Sequence, residues 1–152
     1  MRGRYFPMPN ATAFPNHVED GYGGMLVVRS EIKSLCSHHH QPVSGVAYIG
    51  LIAADTLIGL SKYTRIAQWC ARRGTLQEEL NNEIARQISK ATGSKNVGVY
   101  IQATHGCCEN RGIHAHSSLT QTTVLKGAFQ QDQTTKKEFM DNIKLQQGFA
   151  PR

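Results

Sequence analysis

The sequence predicts an α+β fold, in the order strand, strand, helix, helix, strand, strand, helix. Three observations predict it. Residues 25–37 and 96–107 alternate with the period of two that a half-buried strand requires. Between them, 61–74 and 75–93 carry apolar residues at helical spacing, each closed by a glycine. The order ββα followed by αββ is itself a weak internal duplication. It makes one antiparallel four-stranded sheet with helices on one face, and it leaves the opposite face to be covered. Oligomerisation covers such a face and also protects the sheet edges.

Residues 1–24 form an irregular arm, because Pro7, Pro9, Pro15, Gly21, Gly23 and Gly24 interrupt any long element. In the first strand, Leu26, Val28, Ser30, Ile32, Ser34 and Cys36 fall on one side; Val27, Arg29, Glu31 and Lys33 fall on the other. Pro42 ends the run Cys36-Ser37-His38-His39-His40, and Val43 to Ala53 makes a second strand, paired with the first as a hairpin. Ser61 is the expected N-cap of the first helix, whose buried stripe is Tyr63, Ile66, Ala67 and Cys70. Thr75 and Glu78 fit a capping box for the second helix, whose stripe is Leu76, Leu80, Ile84 and Ile88. Asn96 to His105 is the third strand, Leu119 to Phe129 the fourth, and Thr134 to Leu145 the last helix, burying Phe139 and Ile143. The main domain therefore spans 25–147, and 148–152 is a loose tail.

With 39% hydrophobic and 18% charged residues, the composition is that of a globular chain with a real core. No apolar run approaches the ~20 residues of a membrane span. The first ten residues lack the apolar centre of a secretory signal, so the expected location is cytoplasmic. In that reducing setting the 4 cysteines read as thiols or metal ligands. The net charge of +6 calls for an anionic partner. The basic residues are scattered apart from a cluster at 62–73, which suits a small polyanion such as a nucleotide triphosphate. They do not form the stripe of a nucleic-acid binder.

Cys36-Ser37-His38-His39-His40 and Thr104-His105-Gly106-Cys107 hold the thiols and imidazoles of a zinc site. Neither stretch closes a site alone. Joined, they supply three ligands and an open position, the catalytic arrangement.

Four collinear stretches resemble GTP cyclohydrolase I. Cys36-Ser37-His38-His39 before Pro42 is similar to that family's Cys-Glu-His-His-x-x-Pro. Gly59-Leu60-Ser61-Lys62-Tyr63-Thr64-Arg65-Ile66 is similar to its Gly-Leu-Ser-Lys-x-x-Arg-Ile. Arg72-Arg73 through Gln77-Glu78, and Ala103-Thr104-His105-Gly106-Cys107 with Arg111-Gly112, complete the set. The resemblance covers residues 25–145. It implies the tunnelling fold, whose ββααββ subunits assemble into rings, here a homo-oligomer expected as a decamer of two pentameric rings with active sites between subunits.

It further implies Cys36, His39 and Cys107 as ligands of Zn2+. His38, His105 and Ser61 form the catalytic set, with both histidines moving protons near neutral pH. Lys62, Arg65 and Arg111, with Ser61, hold the triphosphate of GTP, while Gln77 and Glu78 read guanine. The implied reaction turns GTP and water into 7,8-dihydroneopterin triphosphate and formate, feeding pterin, folate or 7-deazaguanine synthesis. The alternatives are a cyclohydrolase that stops at the ring-opened formamidopyrimidine and a non-catalytic purine- or pterin-binding protein of the same fold. His40 reads as a surface residue and Cys108 as non-ligating. Ser37 and Cys108-Glu109-Asn110 depart from the family pattern.

Overall fold

The computed structural model describes residues 7–10, 12–16, 23–35, 42–105 and 119–149. In chain order the elements are β1 (Ala13–Pro15), β2 (Met25–Leu35), β3 (Pro42–Ile52), β4 (Thr56–Ile58), α1 (Leu60–Ala71), α2 (Gln77–Thr92), β5 (Val97–His105), β6 (Leu119–Leu125), α3 (Ala128–Gln131) and α4 (Gln133–Gly148). Strands β2, β3, β5 and β6 form one sheet in that order, antiparallel throughout. The alternation read from the sequence is the alternation of its two faces. One face carries Ile32, Val43, Ala47, Ile49, Leu51, Val97, Val99, Ile101 and Ala103, and meets the stripes of α1 and α2 in the main core.

The expectation of helices on one face holds for α1 and α2. The closing helix differs. Phe129, Phe139 and Ile143 pack on Tyr48 and Tyr100, across the opposite face. Gly50 and Gly98 are cross-strand partners there, and a Cβ on either would come within 3.0 Å of the Phe129 and Phe139 rings. The two bare backbones are the floor on which this aromatic pair sits.

Several boundaries moved for local reasons. The last strand stops at Leu125, not Phe129: Gly127 turns the chain at φ 62, and the Asn96 side-chain oxygen accepts from the Ala128 N–H at 2.9 Å to start α3. Ser61 is not a cap, because α1 begins at Leu60 behind Gly59 with no side-chain cap. The Thr75–Glu78 capping box is likewise absent: α2 starts one residue later, behind Leu76, and Leu76 is exposed rather than part of the stripe. Gly93 ends α2 in the left-handed region at φ 74, as expected. The irregular arm contributes one short strand, β1, which pairs with β4, an element the sequence did not announce. Among the described residues no helix is long and apolar enough to cross a membrane.

Candidate active site

Strand register decides where the two cysteine- and histidine-bearing stretches leave the sheet. Leu35 at the end of β2 pairs with Pro42 at the start of β3. Val43 pairs with His105, the last residue of β5, and Thr104 pairs with Leu119, the first of β6. Segment 36–41 therefore departs and returns at one end of the sheet, and segment 106–118 does the same beside it. Two strand spacings, about 10 Å, separate the β2 and β5 backbones at that end. Cys36, His38, His39, His40, Cys107, Cys108 and Arg111 lie outside the described residues, as does the side chain of His105. Among the described residues, no group of three or more His, Cys, Asp or Glu forms a metal site. The donor set that the sequence names, two thiols and an imidazole, is of the chemistry that fits a zinc ion with an open position.

At the same end lies a cavity of about 270 Å³, whose lining includes Ile32, Val43, Ile101, Thr120, Gln77 and Glu78. Its walls are largely apolar, and Glu78 brings a carboxylate to it from the first turn of α2. With no capping box, that carboxylate is not committed to the helix end. Gln77 is engaged differently. Its amide nitrogen donates to the Thr120 carbonyl at 3.1 Å, to the Thr122 hydroxyl at 3.0 Å and to the Ile101 carbonyl at 3.5 Å. One turn later the Asn81 amide donates to the Val99 carbonyl at 3.0 Å and the Thr122 carbonyl at 3.1 Å, and the Thr122 hydroxyl bonds the Asn81 oxygen. Asn81 and Thr122 were not singled out in the sequence. The available signal was a pair of carboxamides four apart on the stripe side of α2.

Ser61, Lys62 and Arg65 share the outer side of the first turns of α1, with Ser61 and Arg65 exposed. Among the described residues neither Lys62 nor Arg65 joins an ion pair. Two cations beside a helix N-terminus make a natural anion site. That site is remote from the cavity, because α1 runs alongside β2 in the same direction. Thr64 hydrogen-bonds Ser30 at 2.9 Å, and the Ala71 carbonyl accepts from Ser34 at 2.5 Å. Ser34 is at the cavity end, and Ser61 lies ten residues back from Ala71, about 15 Å along the helix axis. A single chain thus brings Glu78 to the end where His105 sits, and does not bring Ser61, Lys62 and Arg65 there.

A sequence model of the family described as GTP cyclohydrolase I matches residues 3–144. The chain belongs to the GTP cyclohydrolase I family. It is 39% identical over 142 residues to "GTP cyclohydrolase 1" of Flavobacterium johnsoniae, covering 93% of this chain and 62% of that protein. It is 39% identical over 132 residues to the protein of the same name from Teredinibacter turnerae, covering 86% and 70%. The chain thus spans a little under two thirds of the first of these relatives. Among solved structures it is similar to the archaeosine synthase QueF-Like in the apo form, with a TM-score of 0.52 at 12% identity, covering 68% of this chain and 93% of that one. At that identity the likeness speaks to the fold alone, α+β of the tunnelling type.

Two titratable groups of this GTP cyclohydrolase I family chain are held out of use by burial, both on α1. Desolvation pushes the Cys70 thiol up to about 12, against the opposing pull of Arg73 and Arg86. It also pushes the Tyr63 phenol up to about 12. The Tyr63 hydroxyl has no hydrogen-bond partner among the described residues. Arg73 is spent on packing: it lies 4.8 Å over the Trp69 ring and pairs with Glu83 at 3.4 Å, while Arg86 pairs with the same carboxylate.

Proposed function

We propose that this chain is a zinc-dependent GTP cyclohydrolase I, converting GTP and water into 7,8-dihydroneopterin triphosphate and formate in the cytoplasm. The observation that carries the reading is the register. It sets the strand ends that flank the Cys36–His40 and His105–Cys107 stretches, Leu35, Pro42 and His105, at the end of the sheet that holds the Glu78 cavity, which supports the reading in a chain of this family. Cys36, His39 and Cys107 would hold the metal. Bound there, zinc would supply the Lewis acidity that makes water a nucleophile at neutral pH. His38 holds the proton destined for N7. His105 serves as acid and base at C8 and then at the ribose oxygen, a task suited to an imidazole whose ordinary pKa is about 6.5.

Glu78 accepts from the N1–H and the 2-amino group of guanine, a pattern adenine cannot offer. Gln77 contributes to the base through its backbone, since its side-chain amide is engaged with β5 and β6. Ser61 at the start of α1 helps orient the triphosphate, with Lys62, Arg65 and Arg111 as its cationic clamp. Because α1 holds the first three about 9–15 Å back along its axis from the cavity end, one complete site takes Glu78 and the zinc ligands from one copy and Ser61, Lys62 and Arg65 from a neighbour. A ring-forming homo-oligomer, a decamer of two pentameric rings, provides that neighbour.

The test is to load the purified protein with zinc, add GTP, and follow formate and pterin fluorescence together. Both should appear in equal amounts. Formate without pterin selects a reaction that stops at the ring-opened formamidopyrimidine. Binding of GTP with no formate selects a non-catalytic purine-binding protein. Cys107→Ser should lose zinc and turnover together, whereas His105→Ala should keep zinc and lose turnover.

A further inference from the structure

The carboxamide and hydroxyl network between α2 and β6 is used by none of the steps above. We propose that Gln77, Asn81 and Thr122 form a positioning clamp that sets the Glu78 carboxylate over its cavity, and that this clamp governs how well guanine is told from a purine lacking the 2-amino group. The proposal rests on the reading of Glu78 as the guanine acceptor.

Asn81 is fully buried and Gln77 is 6% exposed. Two carboxamides on a packed helix face are costly unless their donors are satisfied, and apolar residues would fill the same space at less expense. Here the donors are satisfied, by acceptors on two neighbouring strands. The Gln77 amide reaches the Thr120 carbonyl and the Thr122 hydroxyl; the Asn81 amide reaches the Thr122 carbonyl. All three acceptors belong to β6, the outer strand of the sheet. Both amides also reach β5, at Ile101 and Val99. The first turn of α2 has no side-chain cap, so these bonds, together with the packing of Leu80, fix where that turn sits.

Two anchors one turn apart fix a helix in position and in rotation about its own axis; a single anchor would leave it free to pivot. Glu78 follows Gln77 directly and lines the same cavity as Thr120. A carboxylate that accepts two parallel N–H donors tolerates displacement of only about 0.5 Å. A clamp acting on the adjacent residue is therefore a clamp on the base-reading geometry.

The test compares GTP with inosine triphosphate, which lacks the 2-amino group, by kcat/KM for formate release from the zinc-loaded protein. The wild type should favour GTP by about tenfold or more. Thr122→Val keeps the shape and deletes both hydroxyl bonds. It should cut that preference by at least about threefold, through a higher KM for GTP with kcat little changed. Thr122→Ser restores the hydroxyl and should restore the preference. If Thr122→Val does not fold, Asn81→Asp, which removes both amide donations at constant shape, is read in the same way. A discriminating wild type whose Thr122→Val variant melts lower but discriminates equally well overturns the clamp alone. A wild type that does not discriminate overturns the guanine reading of Glu78, and the clamp with it.

Discussion

Replacing Gly50 by alanine tests how the closing helix is seated. The new methyl would lie 2.7 and 2.8 Å from two ring carbons of Phe139 and 2.9 Å from one of Phe129. Neither ring has room to retreat: both are fully buried, edge to face, with centroids 5.2 Å apart and planes at 83°. Overpacking of this kind costs about 1–3 kcal/mol. The conformational gain of alanine over glycine in a strand returns at most about 1 kcal/mol, so the net change is destabilising. Phe139→Ala alone should cost about 3–5 kcal/mol by emptying a buried site. In the double variant the Gly50 methyl enters that emptied space. The losses should then fail to add, with a coupling of about 1–2 kcal/mol in favour of the double variant. Urea denaturation followed by circular dichroism, at one fixed protein concentration, measures all four corners of the cycle. Losses that add to within about 0.5 kcal/mol would refute the seating of Phe139 on Gly50.

Tyr63→Phe should hold or raise the melting temperature, because it removes a buried hydroxyl that no described group satisfies; a fall of several degrees would show that the hydroxyl is bonded. The Cys70 thiol, pushed up to about 12 by burial, stays neutral at pH 8. The number of thiols titrated by Ellman's reagent in the native protein should therefore be the same for wild type and Cys70→Ala, and denaturation should reveal one more in the wild type. Asp132 caps α4 by accepting from the Thr135 hydroxyl and the Thr134 N–H, which holds its carboxyl below the ordinary 3.8. A depressed carboxyl contributes stability above its unfolded pKa and loses it as pH falls through the folded value. The melting temperature of Asp132→Ala should thus trail the wild type at pH 6, and the gap should close once the pH is below both values; a gap unchanged in acid would contradict the cap.

Element order was legible because burial on the sheet repeats every two residues and on α1 and α2 every three to four. The seating of α4 was not legible, since what receives Phe129 and Phe139 is the missing side chains of Gly50 and Gly98, and an absence has no hydrophobic signature. The capping box at Thr75 and Glu78 failed for a related reason. Local pattern favoured it, yet three acceptors on β5 and β6, distant in sequence, hold Gln77 and with it the helix start. For the proposed site, the motifs named the candidate chemistry, and register sets the strand ends that flank both cysteine-bearing segments at one end of the sheet. Spacing in sequence did not show how far Ser61, Lys62 and Arg65 lie from Glu78 within one chain. They stand within 20 positions of Glu78, but the length of α1 lies between them.

That length has a consequence for inheritance. On the function proposed above, a copy altered at Lys62 keeps its own base-reading cavity intact and disables the one next door. A copy altered at Glu78 does the reverse. Assembled together, two such defective chains regain some complete sites. An altered copy among normal ones disables a site in a neighbour whose own sequence is sound, yet each altered chain still costs one site, so with half the chains altered in α1 half the sites stay complete.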